Sequence, residues 1–491
     1  MAGEMKRLAK DTATYGLSSI IGRFLNWMLV PLYTRVLENT AEYGVVTNLY
    51  GYTALFIVLL TYGMETGLFR FINKKEEQEP MRVYATAIYS VAFTSLLFVL
   101  FILLFLNPVS GALRYDAHPE YVGMMGCIVA VDAFCCIPFA WLRYKNRPVR
   151  FACLKLFGIF SNISLNLFFL VICPKINADI SWFYRPGYGV GYILLSNALT
   201  TALTFLLLIP EMLPGFRAAF SRQRLRQMLH YSFPILILGI AGILNQSFAI
   251  ISFPFLFEDK DYADSQLGIY GACLKIAVVM ILFTQAFRYA YEPFIFSRNR
   301  DTDSRTAYVR AMKYFIIFSL VIFLGVMFYL DLLKYFIDGP YRQALAVIPV
   351  IMLGELFYGI YYNLSVWYKL TDQTRWGARF SITGCAVTVL IIIGFVPRYG
   401  YMACAWAAFA SNLLMMLLSY FTGQRKFPVA YDLRSAFTYG AIAAVCYIAG
   451  MLPEIASDPL QLAYRTVILL IFTGIILKRE IPSSGIKNRY C

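Results

Sequence analysis

The chain is a succession of apolar runs of about twenty residues, and this single feature restricts what it can become. A helical run of that length crosses the roughly 30 Å hydrocarbon core of a bilayer. Lipid leaves a backbone no partner outside its own helix or a closed barrel. About fourteen runs are predicted as spanning helices, near residues 12–32, 44–68, 83–106, 121–142, 151–173, 189–210, 231–256, 266–290, 311–330, 343–367, 377–396, 401–421, 435–452 and 460–477. Of the 491 residues 59% are hydrophobic and 14% charged, against roughly 25% charged in soluble domains. The fold class expected is all-α and polytopic, without strands.

The formal net charge of +15 would suggest nucleic acid for a soluble protein. Here the basic residues lie between the apolar runs, where they set orientation instead. With both termini inside and the connections alternating, the inside segments hold 31 Lys and Arg. The outside connections hold eight: Arg35, Arg114, Lys175, Arg185, Lys260, Lys334, Arg342 and Arg398. One missed helix would scramble that bias downstream, so it supports the helix count together with cytoplasmic termini. Nucleic acid is not an expected partner. The basic Met1–Lys10 leads into a run carrying Arg23 and Asn26 with no small-residue cleavage site, which reads as a retained first helix.

Enzymatic chemistry has no residues to point at. The outside loops are short, and no HExxH, GxSxG or Walker loop is present. Glu258-Asp259-Lys260-Asp261 reads as a solvated loop. Ten Cys without a CxxC pair and only two His, His118 and His230, make neither a metal motif nor a disulfide framework. No cofactor is expected.

The informative residues are the few charges inside the runs, since an ionisable group in the bilayer is costly and faces the bundle interior or a cavity. Arg23 sits near the middle of the first run and shares a helical stripe with Tyr15, Ser19 and Asn26. Lys155 shares a face with Asn162 and Asn166, Lys275 with Leu282 and Gln285, and Glu355 with Tyr358 and Tyr362. Arg23 and Lys275 are the best cavity candidates; together they would make an electropositive pocket suited to a phosphate. Lys155 is balanced between a cavity and snorkelling, and Arg465 is expected to snorkel. Glu65 is expected to pair with Arg70. For Asp132 and Glu355 a paired structural role competes with proton or cation coupling.

The stretch PGFRAAFSRQRLRQMLHYSFP reads as an interfacial linker helix, with an ordinary basic loop as the alternative. Its place at the midpoint of twelve helices divides the chain into an N-lobe 1–213, a linker 214–229, a C-lobe 230–423, and a final segment 424–491 with two more helices. A weak internal echo agrees: Thr66, Phe69 and Arg70 recur as Thr284, Phe287 and Arg288, and Gly44 echoes Gly268 at a different offset. Repeats in transporters place the substrate at the interface between halves.

Three segments carry a resemblance: YGLSSIIGRFLNWMLVPLYTRVLENTAEYGVVTNLYGY, the GLFRF end of the second run, and YEPFIFSRNR after the eighth. With the fourteen-run pattern, the chain resembles the polysaccharide repeat-unit flippases (Wzx type) of the multidrug/oligosaccharidyl-lipid/polysaccharide exporter superfamily. The resemblance implies two six-helix lobes packed as a V around a central cavity, with two extra helices at the side. It implies a bacterial inner-membrane protein moving undecaprenyl-diphosphate-linked oligosaccharide to the periplasmic leaflet for O-antigen, capsule or exopolysaccharide synthesis. Helices one, two, seven and eight would line the cavity, placing Arg23 and Lys275 at the diphosphate and Arg70 and Arg288 near the cytoplasmic mouth. Proton or sodium coupling is typical of the superfamily, with Asp132, Glu355 and Glu65 as candidates. The protein would act in membrane lipid, alone or beside a polymerase and a chain-length regulator. Competing readings are a lipid II flippase, a multidrug extruder of the same superfamily, and a membrane polysaccharide polymerase. Arg23→Ala should abolish glycan export while leaving folded protein in the membrane, checked by glycan blots beside a solubilised-protein assay; normal export would remove the phosphate pocket.

Overall fold

Thirteen helices in the computed structural model are long and apolar enough to span a membrane. The structure describes residues 21–73, 79–176, 184–298, 304–371, 373–453 and 457–480. The thirteen are helix two (Thr40–Ile72), three (Pro80–Leu104), four (Pro119–Tyr144), five (Pro148–Lys175), six (Gly189–Arg217), seven (Arg222–Phe255), eight (Lys260–Arg288), nine (Arg305–Phe328), ten (Val347–Leu370), eleven (Arg375–Tyr399), twelve (Tyr401–Lys426), thirteen (Leu433–Met451) and fourteen (Asp458–Glu480). They coincide with the second to fourteenth predicted runs. The first run lies partly outside the described residues; its remainder is helical over 21–27 and over Val30–Val36. No strand occurs among the described residues.

Local sequence explains where helices begin. Asn39 caps helix two by accepting from the Glu42 backbone N–H, and Asp432 caps helix thirteen by accepting from Ser435. Proline opens helices three, four and five, where its missing N–H costs nothing. Between helices six and seven only residues 218–221 are non-helical, and Ser221 accepts from the Arg224 N–H to start helix seven. The 214–229 stretch is therefore no separate linker helix: its ends are the last turn of helix six and the first turns of helix seven. One serine cap suffices to reverse the chain there.

The chain divides into two compact units. The first comprises the described residues within Met1–Ala272 together with Thr388–Tyr401; the second comprises Cys273–Val387 and Met402–Cys491. In the first, Met64, Leu68, Tyr84, Ile88, Trp141 and Met228 form a core contributed by helices two, three, four and seven. Tyr84 stacks on Trp141 at 4.3 Å and its hydroxyl donates to the Glu211 carbonyl at 2.8 Å.

Helices two and eight cross within this unit with no room between them. A Cβ on Gly44 would lie 1.8 Å from the Asp264 carbonyl oxygen, and one on Gly268 would lie 1.9 Å from that of Thr40. The two glycines that echo each other in sequence are thus the crossing point itself. Thr40 and Ser265 share a 2.6 Å hydroxyl hydrogen bond beside it, and Asn48 donates to the Ile250 carbonyl at 2.7 Å.

In the second unit, helices nine, thirteen and fourteen are tied by Arg465, which is buried rather than snorkelling. Its guanidinium donates to the carbonyls of Gly450 (3.1 Å) and Phe328 (3.4 Å) and to the Asp331 carboxylate (2.5 Å). Those acceptors compensate the desolvation that the sequence reading assigned to snorkelling. At the other end of the same helices, the Glu480 carboxylate takes Lys313 at 2.6 Å and the Tyr439 hydroxyl at 2.6 Å.

Gly44→Ala or Gly268→Ala should cost at least the about 1–3 kcal/mol of an overpacked core, because backbone must move. Gly325→Ala, with nothing within 4 Å, should be neutral or stabilising. Thermal unfolding of the purified variants checks both.

Candidate functional site

Helix two is broken, and the break builds the site. Its first segment ends at Thr61; Tyr62 (φ 34°) and Gly63 (φ 70°) are left-handed, and a second segment, Met64–Ile72, restarts at once. A non-glycine residue at positive φ is uncommon and is held here by contacts: the Tyr62 hydroxyl shares a 2.7 Å hydrogen bond with Ser90. The Gly63 carbonyl accepts from the Gly67 N–H at 3.0 Å as the second segment starts, and Ser232 on helix seven donates to the same oxygen at 3.1 Å, tying the break to helix seven. Interrupted helices of this kind border binding sites in transporters.

The restarted segment carries Glu65 into a cluster with helices four, five and six. Glu65 ion-pairs with Arg143 at the end of helix four, and the Arg143 guanidinium also lies over the Phe69 ring at 5.0 Å. The expected Glu65–Arg70 pair does not form. Five residues apart on a helix of 3.6 residues per turn, the two point to well-separated faces. Arg70 lies instead over the Tyr231 ring of helix seven at 4.3 Å. Asp132 on helix four accepts from the Thr201 hydroxyl at 3.1 Å. Lys155 on helix five lies over the Phe139 ring at 4.0 Å, and its charge interacts with those of Asp132, Glu65 and Arg143. Asp132 and Lys155 are both exposed rather than sealed between helices.

Three of the nine residues singled out in the sequence, Glu65, Asp132 and Lys155, are thereby brought together in one unit. Arg23 and Asn26 are exposed on the 21–27 helical stretch of that unit. Lys275, half-buried, belongs to the second unit, as do Arg288 and Glu355. Arg288 lies over the Tyr362 ring at 4.7 Å, and Lys369 approaches the same ring at 4.5 Å while donating to its hydroxyl at 3.3 Å. Glu355 is half-buried within Val347–Leu364 and forms no ion pair among the described residues. Asn166, expected on a stripe with Lys155, is buried and accepts from the Tyr33 hydroxyl at 3.0 Å, with Asn162 behind it.

The sequence reading missed Arg143, Thr201 and Glu211. Arg143 was visible only as one of many inside charges. Glu211 is a buried acid at the basic end of helix six, paired with Arg150 at 3.0 Å and Arg147 at 3.7 Å. An acid directly after a predicted run, which ends at residue 210, and next to a basic loop is the signal that would have found it.

Residues 8–143 match the family model described as polysaccharide biosynthesis protein. No curated protein sequence matches the chain. The solved structure of the lipid II flippase MurJ in an inward closed conformation superposes with a TM-score of 0.74 at 14% identity, covering 95% of this chain and 99% of that one. The inward-facing conformation of a multidrug resistance MATE family transporter of the MOP superfamily gives 0.63 at 12% identity, covering 85% and 97%. The MATE multidrug transporter DinF-BH gives 0.58 at 15% identity, covering 87% and 96%. The fold is the one these transporters share.

Lys155→Met should leave thermal unfolding nearly unchanged, since the side chain is exposed. The partly exposed Glu65–Arg143 pair should show a coupling of about 0.2–1 kcal/mol in a double-mutant cycle of unfolding with E65Q and R143Q.

Proposed function

We propose that the protein translocates undecaprenyl-diphosphate-linked oligosaccharide repeat units from the cytoplasmic to the periplasmic leaflet by alternating access. The observation that carries this reading is the match of residues 8–143 to the polysaccharide biosynthesis family. A fold shared with MurJ and MATE transporters supports it. The products would feed O-antigen, capsule or exopolysaccharide synthesis, and the chain is a transporter, not an enzyme.

Arg23 and Lys275 would grip the diphosphate, the first bidentately and the second as a point charge. Asn26 and Lys155 would complete the polar path, and Arg70 and Arg288 would receive the headgroup at the cytoplasmic mouth. Lobes 1–213 and 230–423 would rock about that site, with 424–491 alongside. Asp132, Glu355 and Glu65 are the residues proposed to couple a proton or sodium gradient to the cycle. The protein would sit in a bacterial inner membrane with both termini cytoplasmic, and a polymerase with a chain-length regulator would take its product. A cationic drug would call for acids where this chain places Arg23 and Lys275, which disfavours an extruder.

Lipid II transport is the second reading, favoured by the MurJ likeness at TM-score 0.74. Both readings are separated by one assay: leaflet assignment of undecaprenyl-linked glycan in cells lacking the protein. Repeat units should accumulate on the cytoplasmic face and be relieved by wild type but not by Arg23→Ala. Cytoplasmic lipid II would move the assignment to peptidoglycan, and unpolymerised units on the periplasmic face would mean a later step.

A further inference from the structure

The first unit contains a cavity of about 330 Å³ at the end that the loop charges place outside the cell. It is walled by the starts of helices two and eight and by the connections before helices four and six. Its lining includes Glu42, Arg114, Tyr115, His118, Tyr121 and Asp261. That volume is at the small end of ligand pockets, roughly 300–1,000 Å³. Nothing described above uses it.

Its cations are already committed. Arg114 donates to the carbonyls of Pro254, Phe257 (2.8 Å) and Glu258 (2.6 Å), which end helix seven. Lys260 is paired with Asp264 and lies over the Tyr115 ring at 4.6 Å. His118 contacts Glu120 at 3.0 Å. A phosphate or carboxylate ligand would therefore have to break existing bonds. A metal ion fits no better: among the described residues no group of His, Cys, Asp and Glu is arranged to hold one.

What remains are acceptors and aromatic faces. The Glu42 and Asp261 carboxylates line the cavity, and each carboxylate has about four lone-pair sites. Two rings of the lining, His118 and Tyr121, stand beside them, and further rings back these up from outside the cavity. His118 stacks on Tyr121 (4.7 Å), Tyr121 meets Tyr188 (5.8 Å), Tyr188 meets Tyr192 (5.5 Å), and Tyr192 stacks on Phe169 (5.1 Å). Carboxylates that accept from hydroxyls, beside flat rings with polar rims, suit an uncharged and hydroxyl-rich ligand.

We propose that this cavity is a saccharide-binding vestibule, which holds a neutral sugar of the glycan on the extracytoplasmic side. The proposal rests on the flippase reading for the source of its ligand and on the loop-charge orientation for its side of the membrane. It adds a second contact to the cargo, at the sugar rather than the diphosphate.

The test uses the full-length protein in nanodiscs, titrated with the oligosaccharide released by mild acid from the cells' own polyprenyl diphosphate pool and followed by saturation-transfer NMR. Wild type should bind. The isosteric surface pair E42Q/D261N should bind about tenfold more weakly or worse, as loss of charge-assisted hydrogen bonds predicts. Tyr121→Ala should also weaken binding while Tyr121→Phe retains it. No binding by wild type, or equal binding by E42Q/D261N, overturns the vestibule. Neither result bears on the flippase reading, which stands or falls on the leaflet assay.

Discussion

A backbone group in lipid has nowhere to turn but its own helix, and the ends and breaks of these helices show how that demand is met. Side chains from other elements reach the released carbonyls. Asn48 takes the Ile250 carbonyl near the end of helix seven. Arg114 takes three carbonyls after helix seven, Arg342 takes those of Lys334 and Ile337, and Arg465 takes Gly450 and Phe328. An arginine offers several donors in a fixed fork, so one side chain can finish a whole helix terminus. This also accounts for several of the cations that run against the charge bias read from the sequence. Arg114 and Arg342 are occupied by carbonyls, and Lys260 and Lys334 by the carboxylates of Asp264 and Asp331. They are structural cations, and their charges are answered locally.

Helix two is rigid at one end and divided at the other. Near its start the Gly44–Gly268 crossing brings two backbones into contact, and hydroxyl and amide bonds surround it. Past Thr61 the left-handed Tyr62–Gly63 pair redirects the chain, so Met64–Ile72 presents Glu65 to helix four and Arg70 to helix seven. An unbroken helix would keep the second segment in register with the first. The break is what allows one span to be packed by glycine near its start and to carry ionisable residues near its other end.

The spanning helices were legible because length and hydropathy are local properties: each described run from the second onward became a helix. The charged residues worth inspecting were legible for a similar reason, since an ion inside an apolar run stands out. Their partners were not. Glu65 pairs with a residue 78 positions away, and nothing in the chain around Glu65 distinguishes Arg143 from the other inside cations. Arg465 looked free to snorkel because its acceptors are backbone carbonyls, which leave no mark in a sequence. The linker was misjudged on composition: arginines and phenylalanines suit an interfacial helix, but four non-helical residues ending in the Ser221 cap divide the stretch between helices six and seven.

The distribution of acids bears on what the molecule can carry. Glu65, Glu211, Asp264 and Glu480 lie within spanning helices and each holds a lysine or arginine. Each of these carboxylates is answered locally by a cation. Asp132 and Glu355 differ, the first held by a threonine hydroxyl and the second in no ion pair among the described residues. Meanwhile Arg70 and Lys155 lie over aromatic rings, which orient a cation without neutralising it. Rings thus hold two of the cations in place, while ion pairs hold most of the acids.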